Sequence, residues 1–587
     1  MFEFVRMENF HDLGQAICQT LLSTASKLAE FDEEFDPQVR IADEKFGDFQ
    51  ANGILPFAKK KQVNPRKLGE KLLQSMPESV HWKITLSGPG FLNFKLTSSL
   101  LLEWVLNHGS KEVLRDAFKC KDAGIVVLDF SSPNTAKQMH VGHIRSTIIG
   151  DSLGRLLSFR GHQVIRDNHL GDWGTQFGIL LYAIKREGID LNHLGKEPIS
   201  ELESLYRKGN NWVREDEKAL SKARDELVKL QHGDRENLRM WQKIRDLSMC
   251  SFEKIYQILG VRFDHTHGES FYRDQVDSVY RALNKHKICE EDEGALVVFH
   301  SEHKRFAEQP FIIRKSDGAS NYATSDLATI SYRSDQWKAD QIIYVTDGRQ
   351  RDHFEQLFLT TKKWFALENR KLPLLKHIWF GTILGEDNKA IKTRDGQPIK
   401  LSELLEEAIK RAAEMVTEKS SHLPESEIHR RAKVIGLGAV KYADLSQDRT
   451  LDYVFSWEKL LALQGNTAPY LQYAVARILS IFRKMPVKIN KDPKFAREPE
   501  TAQERRLARK LVFFPIALKQ TDRESKPHFL CCYLFELATD FSSFYSHDKV
   551  MVEDISTRNL RILLCDRTLT FLRTGLEILG IETLEEM

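Results

Sequence analysis

The residues best suited to chemistry in this 587-residue chain stand together at His140-Val141-Gly142-His143. The run Gly-Ile-Val-Val-Leu-Asp-Phe at 124–130 precedes them. It reads as a buried parallel strand, because it barely alternates between apolar and polar residues. Ser131-Ser132-Pro133-Asn134 breaks the run, and a helical spacing of Ile144, Ile148, Leu153, Leu156 and Leu157 follows, with Gly161 as its stop. A histidine pair at such a loop-to-helix junction suits a phosphate chain, since free backbone N–H groups and the positive end of the helix dipole face the anion. Gly142 lets a flat base approach the backbone where any Cβ would intrude. His140 and His143 can donate hydrogen bonds to charge developing on the α- and β-phosphates of a nucleotide. If a substrate carboxylate is the attacking group, no enzymic base or nucleophile is needed. With 20 His and 32 Gly in the chain, H-x-G-H arises by chance in roughly four such chains per hundred. Its place after a buried strand therefore carries the argument. Neither a G-x-x-x-x-G-K-[ST] loop nor a G-x-G-x-x-G turn competes for phosphate.

The elements that must hold this pair follow from the pattern around it. His162 to Asp167 reads as the next strand, so strand, loop, helix and strand fall within about 45 residues, a βαβ unit with a parallel sheet. The sheet resumes far downstream, at Gln341 to Thr346 and at His377 to Leu384. A polar, helix-forming stretch between about 185 and 250 lies between the halves as an insertion. From Leu401 the periodicity is helical almost to the end, interrupted by the prolines and charges of Lys484 to Glu500. Residues 1–118 form a first unit with an amphipathic opening helix, a turn at Phe46-Gly47-Asp48, a helix over Ala51 to Lys61 and a closing strand at 90–94. The Lys59-Lys60-Lys61 run is a solvated face or a phosphate contact.

Apolar residues at 41% and charged residues at 29% are ordinary for globular chains. A net charge of +3 neither demands nor excludes nucleic acid. The seven cysteines contain no C-x-x-C pair, so the expectation is reduced thiols, no structural metal and no disulfide framework. No stretch approaches about 18 uninterrupted apolar residues, and the start shows neither a signal core nor a transit pattern, which together predict a cytoplasmic protein without a membrane span.

The stretch from Ser131 to Gly178 contains S-S-P-N-T-A-K-Q-M-H-V-G-H and H-L-G-D-W-G-T-Q-F-G. It resembles the signature of the arginyl-tRNA synthetases, and the likeness runs through nearly the whole chain. The H-x-G-H core is shared by class I synthetases in general, whereas the lead-in and the tail are particular to the arginine enzymes. The resemblance implies an α/β fold: a Rossmann-type parallel-sheet catalytic domain with a helical insertion, an N-terminal α+β tRNA-binding domain and a C-terminal all-α anticodon-binding bundle. The expected boundaries are 1–118 for the tRNA-elbow domain, 119–400 for the catalytic domain, 401–440 for a helical connection and 441–587 for the anticodon domain. The implied partners are ATP with Mg²⁺, L-arginine and tRNA-Arg, the implied route is through an arginyl-adenylate, and the implied state is a monomer. The resemblance also implies that bound tRNA is required for the activation step.

An arginine side chain is a planar, permanently charged fork, read best by carboxylates and an aromatic wall. The family's reader maps onto Glu269 in H-G-E-S-F-Y and onto Tyr322 and Asp326 in N-Y-A-T-S-D-L-A. Their i, i+4 spacing puts the last two on one helix face. Asn134 is implied as the partner of the α-amino group and Gln350 as a lining residue. Class I enzymes also carry a K-M-S-K-S loop, and the corresponding stretch here is the degenerate Lys389-Ala390-Ile391-Lys392-Thr393-Arg394. Two registers fit, one placing Lys392 and the other Thr393 on the catalytic lysine. The lysine that compensates in many arginine enzymes is Lys137, expected here to bind ATP with His140, Gly142 and His143; Lys137 is the first choice for the leaving-group cation and Lys392 the second.

For tRNA, the matching positions are Asn52 in G-D-F-Q-A-N, Tyr470, Tyr545 and the terminal Met587. For Tyr473, core packing and base contact are equally open. The basic clusters Arg505-Arg506 and Arg509-Lys510 could meet phosphates or face solvent. Three rivals remain: another class I specificity, a non-catalytic RNA-binding paralogue, and a small nucleotidyltransferase. The first conflicts with the carboxylate set, the second with the retained histidines, and the third with the length of the chain.

Overall fold

The computed structural model describes residues 11–316, 322–385, 387–389, 391, 399–485 and 495–587. By its internal packing the chain divides into two units. One is Cys120–Leu461, and the other combines Met1–Lys119 with Ala462–Met587.

The continuous unit is built on four parallel strands: β1 (Ile125–Asp129), β2 (Gln163–Asp167), β3 (Gln341–Tyr344) and β4 (Leu374–His377). Their spatial order is β4-β3-β1-β2. The register aligns His377 with Tyr344, Tyr344 with Asp129 and Asp129 with Asp167, a row across the carboxyl edge of the sheet. The chain leaves β1 to one side and later returns on the other, and ligands of such sheets sit outside the strand ends at that reversal. Helix α1 (Val141–Phe159) makes the crossover from β1 to β2 and is buried on most of its surface. It packs tightly because Gly150 carries no side chain: a Cβ there would lie 2.3 Å from Phe130 Cγ.

Four helices fill the expected insertion: α2 (Thr175–Glu187), α3 (Pro198–Glu215), α4 (Glu217–Gln231) and α5 (Arg235–Leu259). The helical segment begins at Thr175, ahead of the expected 185, because Phe177, Leu181 and Ile184 face a core shared with Leu202, Trp241 and Ile244. Downstream come a one-turn helix, α6 (Glu269–Tyr272), and α7 (Tyr322–Asp335). Helix α7 shares a core with the parallel sheet and with an antiparallel sheet of Glu290–Asp292, Ala295–Val298 and Phe311–Arg314, through Val127, Val298, Ile313, Leu327 and Ile342.

Two further sequence expectations fail locally in this unit. The strand expected over His377 to Leu384 is two pieces, β4 ending at His377 and a two-residue strand, Ile383–Leu384, paired with Tyr453–Val454. The break falls where Gly381 passes so close to the Leu451 carbonyl that a Cβ would stand 2.8 Å from it. The boundary expected at 440 lies inside a continuous helix, Glu425–Leu445, which packs with Leu401–Lys419 as a hairpin. Gly436 permits that packing, since a Cβ there would meet the Ala408 carbonyl at 2.7 Å.

The other unit contains a four-stranded antiparallel sheet, Val39–Ile41, Phe49–Ala51, Phe91–Leu96 and Trp82–Ser87 in spatial order, with flanking helices. The helix expected from Ala51 starts at Ile54, and Phe49–Ala51 is a strand. Gly53 separates the two; a Cβ there would collide with the Asp36 carbonyl at 1.7 Å. The helices Ala468–Arg483, Ala502–Val512, Phe514–Glu524, His528–His547 and Ile555–Ile578 complete the unit. The N-terminal stretch to Asn9, Lys392 to Arg394 and most of the Lys484–Glu500 connection lie outside the described residues.

Candidate active site

A cavity of about 630 Å³ opens at the carboxyl ends of β1 and β3. Eight residues expected at the site line it: Asn134, His140, Gly142, His143, Glu269, Tyr322, Asp326 and Gln350.

His140 is the N-cap of α1, and it caps through a reciprocal pair of bonds. The Gly142 N–H donates to His140 Nδ1 at 3.1 Å, and the His140 N–H donates to His143 Nδ1 at 3.1 Å. A backbone N–H can only donate, so both Nδ1 atoms accept and the ring proton of each neutral imidazole sits on Nε2. Burial pushes both rings down, His143 to about 3, with the neighbouring His140 adding to the effect there. Two neutral rings thus present Nε2–H donors without carrying charge. A Cβ at Gly142 would stand 2.8 Å from His140 Cε1, so glycine here also protects the capping ring.

The loop between β1 and α1 is strained. Ser131, Ser132 and Ala136 have φ of 69°, 46° and 59°, a region that costs a non-glycine residue about 1–3 kcal/mol. Polar partners over-determine it. The Ser131 N–H donates to Ser146 Oγ at 2.9 Å, the Ser132 N–H to Asn168 Oδ1 at 3.1 Å and the Ala136 N–H to Ser248 Oγ at 2.9 Å. The tail of the sequence signature continues this support. Gly171 leaves room for Asn134, whose Oδ1 would lie 2.0 Å from a Cβ. Asp172 accepts from the Ser270 N–H at 2.9 Å and the Ser270 hydroxyl at 2.7 Å, which fixes the short helix that begins with Glu269.

The carboxylates around the cavity fall into two groups. Asp129 and Asp167 share Arg333, Asp172 is paired with Arg245 at 3.2 Å, and Asp347 is paired with Arg349 at 2.8 Å. Among the described residues, no lysine or arginine forms an ion pair with Glu269 or Asp326. Asp326 Oδ2 accepts from His353 Nε2 at 2.6 Å, while its Oδ1 stands 3.9 Å from His169 Nε2. Burial, reinforced by the charges of Asp326 and Asp172, holds the Glu269 carboxyl well above its usual range. A cavity wall of this kind is short of positive charge. Tyr322, 67% exposed, stands at its mouth.

Not every expected residue joins the cavity. Lys137 is not among its lining; its Nζ lies over the Tyr206 ring, 5.4 Å from the centroid. Lys392 lies outside the described residues. Sequence reasoning missed Arg333, His169, His353 and Asp172, of which His169 and Asp172 stood inside a recognised motif.

In the other unit, Asn52 is only 8% exposed, and its amide is held by Gln50 and by the Arg40 guanidinium. Tyr470 is half-buried against Phe535, with its hydroxyl 3.3 Å from Ser542 Oγ. Tyr473 and Tyr545 are 39% and 43% exposed, and the Arg477 guanidinium lies over both rings, at 4.6 and 5.5 Å. Gln472 donates to the Glu582 carbonyl at 2.8 Å, tying the tail that ends in half-buried Met587 to the same helix. The basic clusters are engaged in ion pairs, with Arg506 alone of the four exposed to solvent. Arg505 and Arg509 grip Asp48, Arg506 pairs with Asp540 and Lys510 with Glu536.

Three family models match the chain. They are the arginyl tRNA synthetase N terminal domain at 12–96, the catalytic domain of tRNA synthetases class I (R) at 105–457, and the DALR anticodon binding domain at 471–587. An arginine–tRNA ligase from Citrobacter koseri is 41% identical over 583 residues, 98% of this chain and 100% of the relative. One from Klebsiella pneumoniae matches with the same identity and coverage. The crystal structure of arginyl-tRNA synthetase from Plasmodium falciparum superposes with a TM-score of 0.82 at 29% identity, covering 98% of this chain and 99% of that one. The arginyl-tRNA synthetase of Thermus thermophilus has the same fold, with a TM-score of 0.82 at 24% identity over 98% and 100% of the two chains.

Proposed function

The chain belongs to the arginyl-tRNA synthetase family, and we propose that one cavity of its parallel-sheet unit both recognises arginine and activates it. The protein activates L-arginine with ATP and charges tRNA-Arg. The observation that carries the site reading is the pair Glu269 and Asp326, the two cavity carboxylates without a lysine or arginine partner among the described residues. A guanidinium supplies the missing charge and binds two carboxylates through its fork of donors. Lysine is too short and offers a point charge, and citrulline leaves a carboxylate unpaired. Buried polar groups left unpaired in this way support discrimination of ~10⁴ or more.

In this reading Asn134 takes the α-amino group, Tyr322 and Gln350 close the pocket, and the arginine carboxylate attacks the α-phosphorus of ATP. The Nε2–H groups of His140 and His143 donate to the charge that develops on the phosphate oxygens, beside the N-terminus of α1. Because both rings are neutral, they stabilise that charge by hydrogen bonding without holding a product anion. Lys137 serves the pyrophosphate leaving group by swinging from the Tyr206 ring, a contact of about 0.5–1 kcal/mol that an ion pair with phosphate outweighs. Lys392 is the second cation. Mg²⁺ carried by the triphosphate would supply charge neutralisation there.

The tRNA reading rests on the terminal unit. The Tyr473–Arg477–Tyr545 stack offers exposed rings and a cation to unstacked bases, with Tyr470 on the same helix and Met587 on the tail that Gln472 ties to it. Asn52 acts through Arg40, which it orients. The domain reading keeps an elbow-binding portion near 1–118, a catalytic portion from 119 and an anticodon-binding portion over the final helices. The protein works as a cytoplasmic monomer; its seven cysteines are free thiols, and among the described residues no helix is long and apolar enough to cross a membrane.

ATP–pyrophosphate exchange with each of the twenty amino acids, with and without total tRNA, tests the whole reading. Exchange with arginine alone, and only when tRNA is present, is the expected result. Exchange with another amino acid would overturn the roles of Glu269 and Asp326.

A further inference from the structure

Beneath the cavity lies a buried cation that neither the reaction nor the sequence signature calls for. Arg333 is 0% exposed. Its Nη2 donates to Asp129 Oδ2 at 2.7 Å and to Asp167 Oδ2 at 2.8 Å. These aspartates end the neighbouring strands β1 and β2 and face each other in register. Their remaining oxygens are also engaged: Asp129 Oδ1 accepts from the Ser132 hydroxyl at 2.8 Å, and Asp167 Oδ1 accepts from the His267 N–H at 3.2 Å. The guanidinium also lies over the Tyr344 ring, 5.4 Å from its centroid, and Tyr344 and Asp129 both line the cavity.

Arg333 is on α7, seven residues beyond Asp326 and eleven beyond Tyr322. Seven residues make about two helical turns, so the three share a face. One end of that face carries the residues that meet substrate, and the other is bolted to the strand ends. Through Asp129 and Ser132 the bolt reaches the strained Ser131–Asn134 loop.

The chemistry adds a second consequence. An arginine substrate seeks paired carboxylates, and Asp129, which lines its cavity, and Asp167, buried directly behind, are such a pair. We propose that Arg333 is a positioning and specificity-determining residue: an internal guanidinium that occupies the Asp129–Asp167 pair, leaving Glu269 and Asp326 as the carboxylates open to substrate, and that fixes α7 in register with the strand ends. This rests on the reading of Glu269 and Asp326 as the arginine-binding pair. The mechanism has two separable parts. Both bonds leave from Nη2, so filling the pair requires a cation whose end nitrogen reaches in between the aspartates, whereas fixing the register requires only that the space between them be occupied by something bonded to both.

Arginine-dependent exchange by Arg333→Ala, Arg333→Lys and Glu269→Gln, in the presence of tRNA, tests it. For Arg333→Ala the arginine KM rises by about 100-fold, the scale set by an ångström-sized misplacement, while the ATP KM stays within about twofold. Guanidinium chloride, which fits the vacated space, brings the arginine KM back toward the wild-type value, and sodium chloride at equal ionic strength does not. The wild type gains nothing from guanidinium. Arg333→Lys keeps the charge and the occupied space, so its arginine KM rises less and guanidinium does not rescue it. If Arg333→Ala does not fold, judged by near-ultraviolet circular dichroism, Arg333→Lys decides: a wild-type arginine KM overturns the proposal. An unrescued loss spread equally over arginine, ATP and kcat overturns it too, since that is the mark of general disorder. An effect of Glu269→Gln with none of Arg333 sinks this proposal alone. No change in arginine KM for Glu269→Gln sinks the reading beneath it.

Discussion

Two buried charge clusters in this molecule are mirror images. In the terminal unit one carboxylate, Asp48, lies between two guanidiniums, Arg505 at 3.0 Å and Arg509 at 2.7 Å. In the sheet unit one guanidinium, Arg333, lies between two carboxylates. The first cluster is used up in holding structure: Arg509 also donates to the Ala42 and Gly47 carbonyls and Arg505 to the Leu96 carbonyl. The second leaves its surroundings anionic, and beside it Glu269 and Asp326 remain open toward the cavity. Where the surplus donors are spent on backbone carbonyls the unit gains rigidity, and where an excess of one sign is kept in a concave, partly dry place the unit gains a binding site.

Substitutions can break this comparison from either side. Glu269→Gln or Asp326→Asn removes half of the open pair, and kcat/KM for arginine in pyrophosphate exchange falls by about 10³-fold, the scale of truncating a buried charged contact. A loss shared equally by all amino acids would contradict the pairing. Asp48→Ala removes the shared partner of two partly buried arginines, so the terminal unit loses stability, by up to about 3 kcal/mol, read as a lowered urea midpoint. An unchanged midpoint would mean that the Asp48 cluster is not structural. His143→Ala removes a donor to the developing charge and lowers kcat by about 10²-fold, with the arginine KM little changed.

The pH dependence sharpens the same contrast. Glu269 has its carboxyl raised, and arginine binding needs it ionised. Arginine stays charged throughout, so binding expels a proton from Glu269. The arginine KM therefore falls as pH rises through the raised value, by up to about tenfold per unit, and then levels off. Glu269→Gln gives a high KM that no longer varies in this window. The smallest effect belongs to the terminal unit. Arg477→Ala loosens the Tyr473–Tyr545 stack and raises the tRNA KM by about tenfold, while the arginine KM stays put.

Much of this was legible in the residues. The α/β class and the parallel sheet followed from apolar runs and the spacing around Gly161, and the family from motifs that span the chain. The cavity gathers Asn134, the histidine pair, Glu269, Tyr322, Asp326 and Gln350 from five separate stretches, which the family likeness anticipated and periodicity alone could not. Other features were hidden because their meaning is set by partners distant in the chain. Arg333 reads as a surface cation until Asp129 and Asp167 are brought to it across 204 and 166 residues. Arg505 and Arg509 carry the same letters as an RNA-binding patch, and only the fold turns them toward Asp48. The left-handed serines at 131 and 132 leave no mark in composition, because serine has no intrinsic preference for that region and is held there by neighbours.

The grip of Arg505 on Asp48 joins residues 457 positions apart. During synthesis Asp48 leaves the ribosome first, and its two arginines follow after the whole of Cys120–Leu461 has been made. At the usual pace of translation that interval is roughly 20 to 90 s. The catalytic unit, contiguous in sequence, has time to fold while the N-terminal segment waits with a polar seam unfilled. The unit that would read tRNA is thus the last to be finished, and a nascent chain completes its substrate cavity before it can grip the nucleic acid that switches that cavity on.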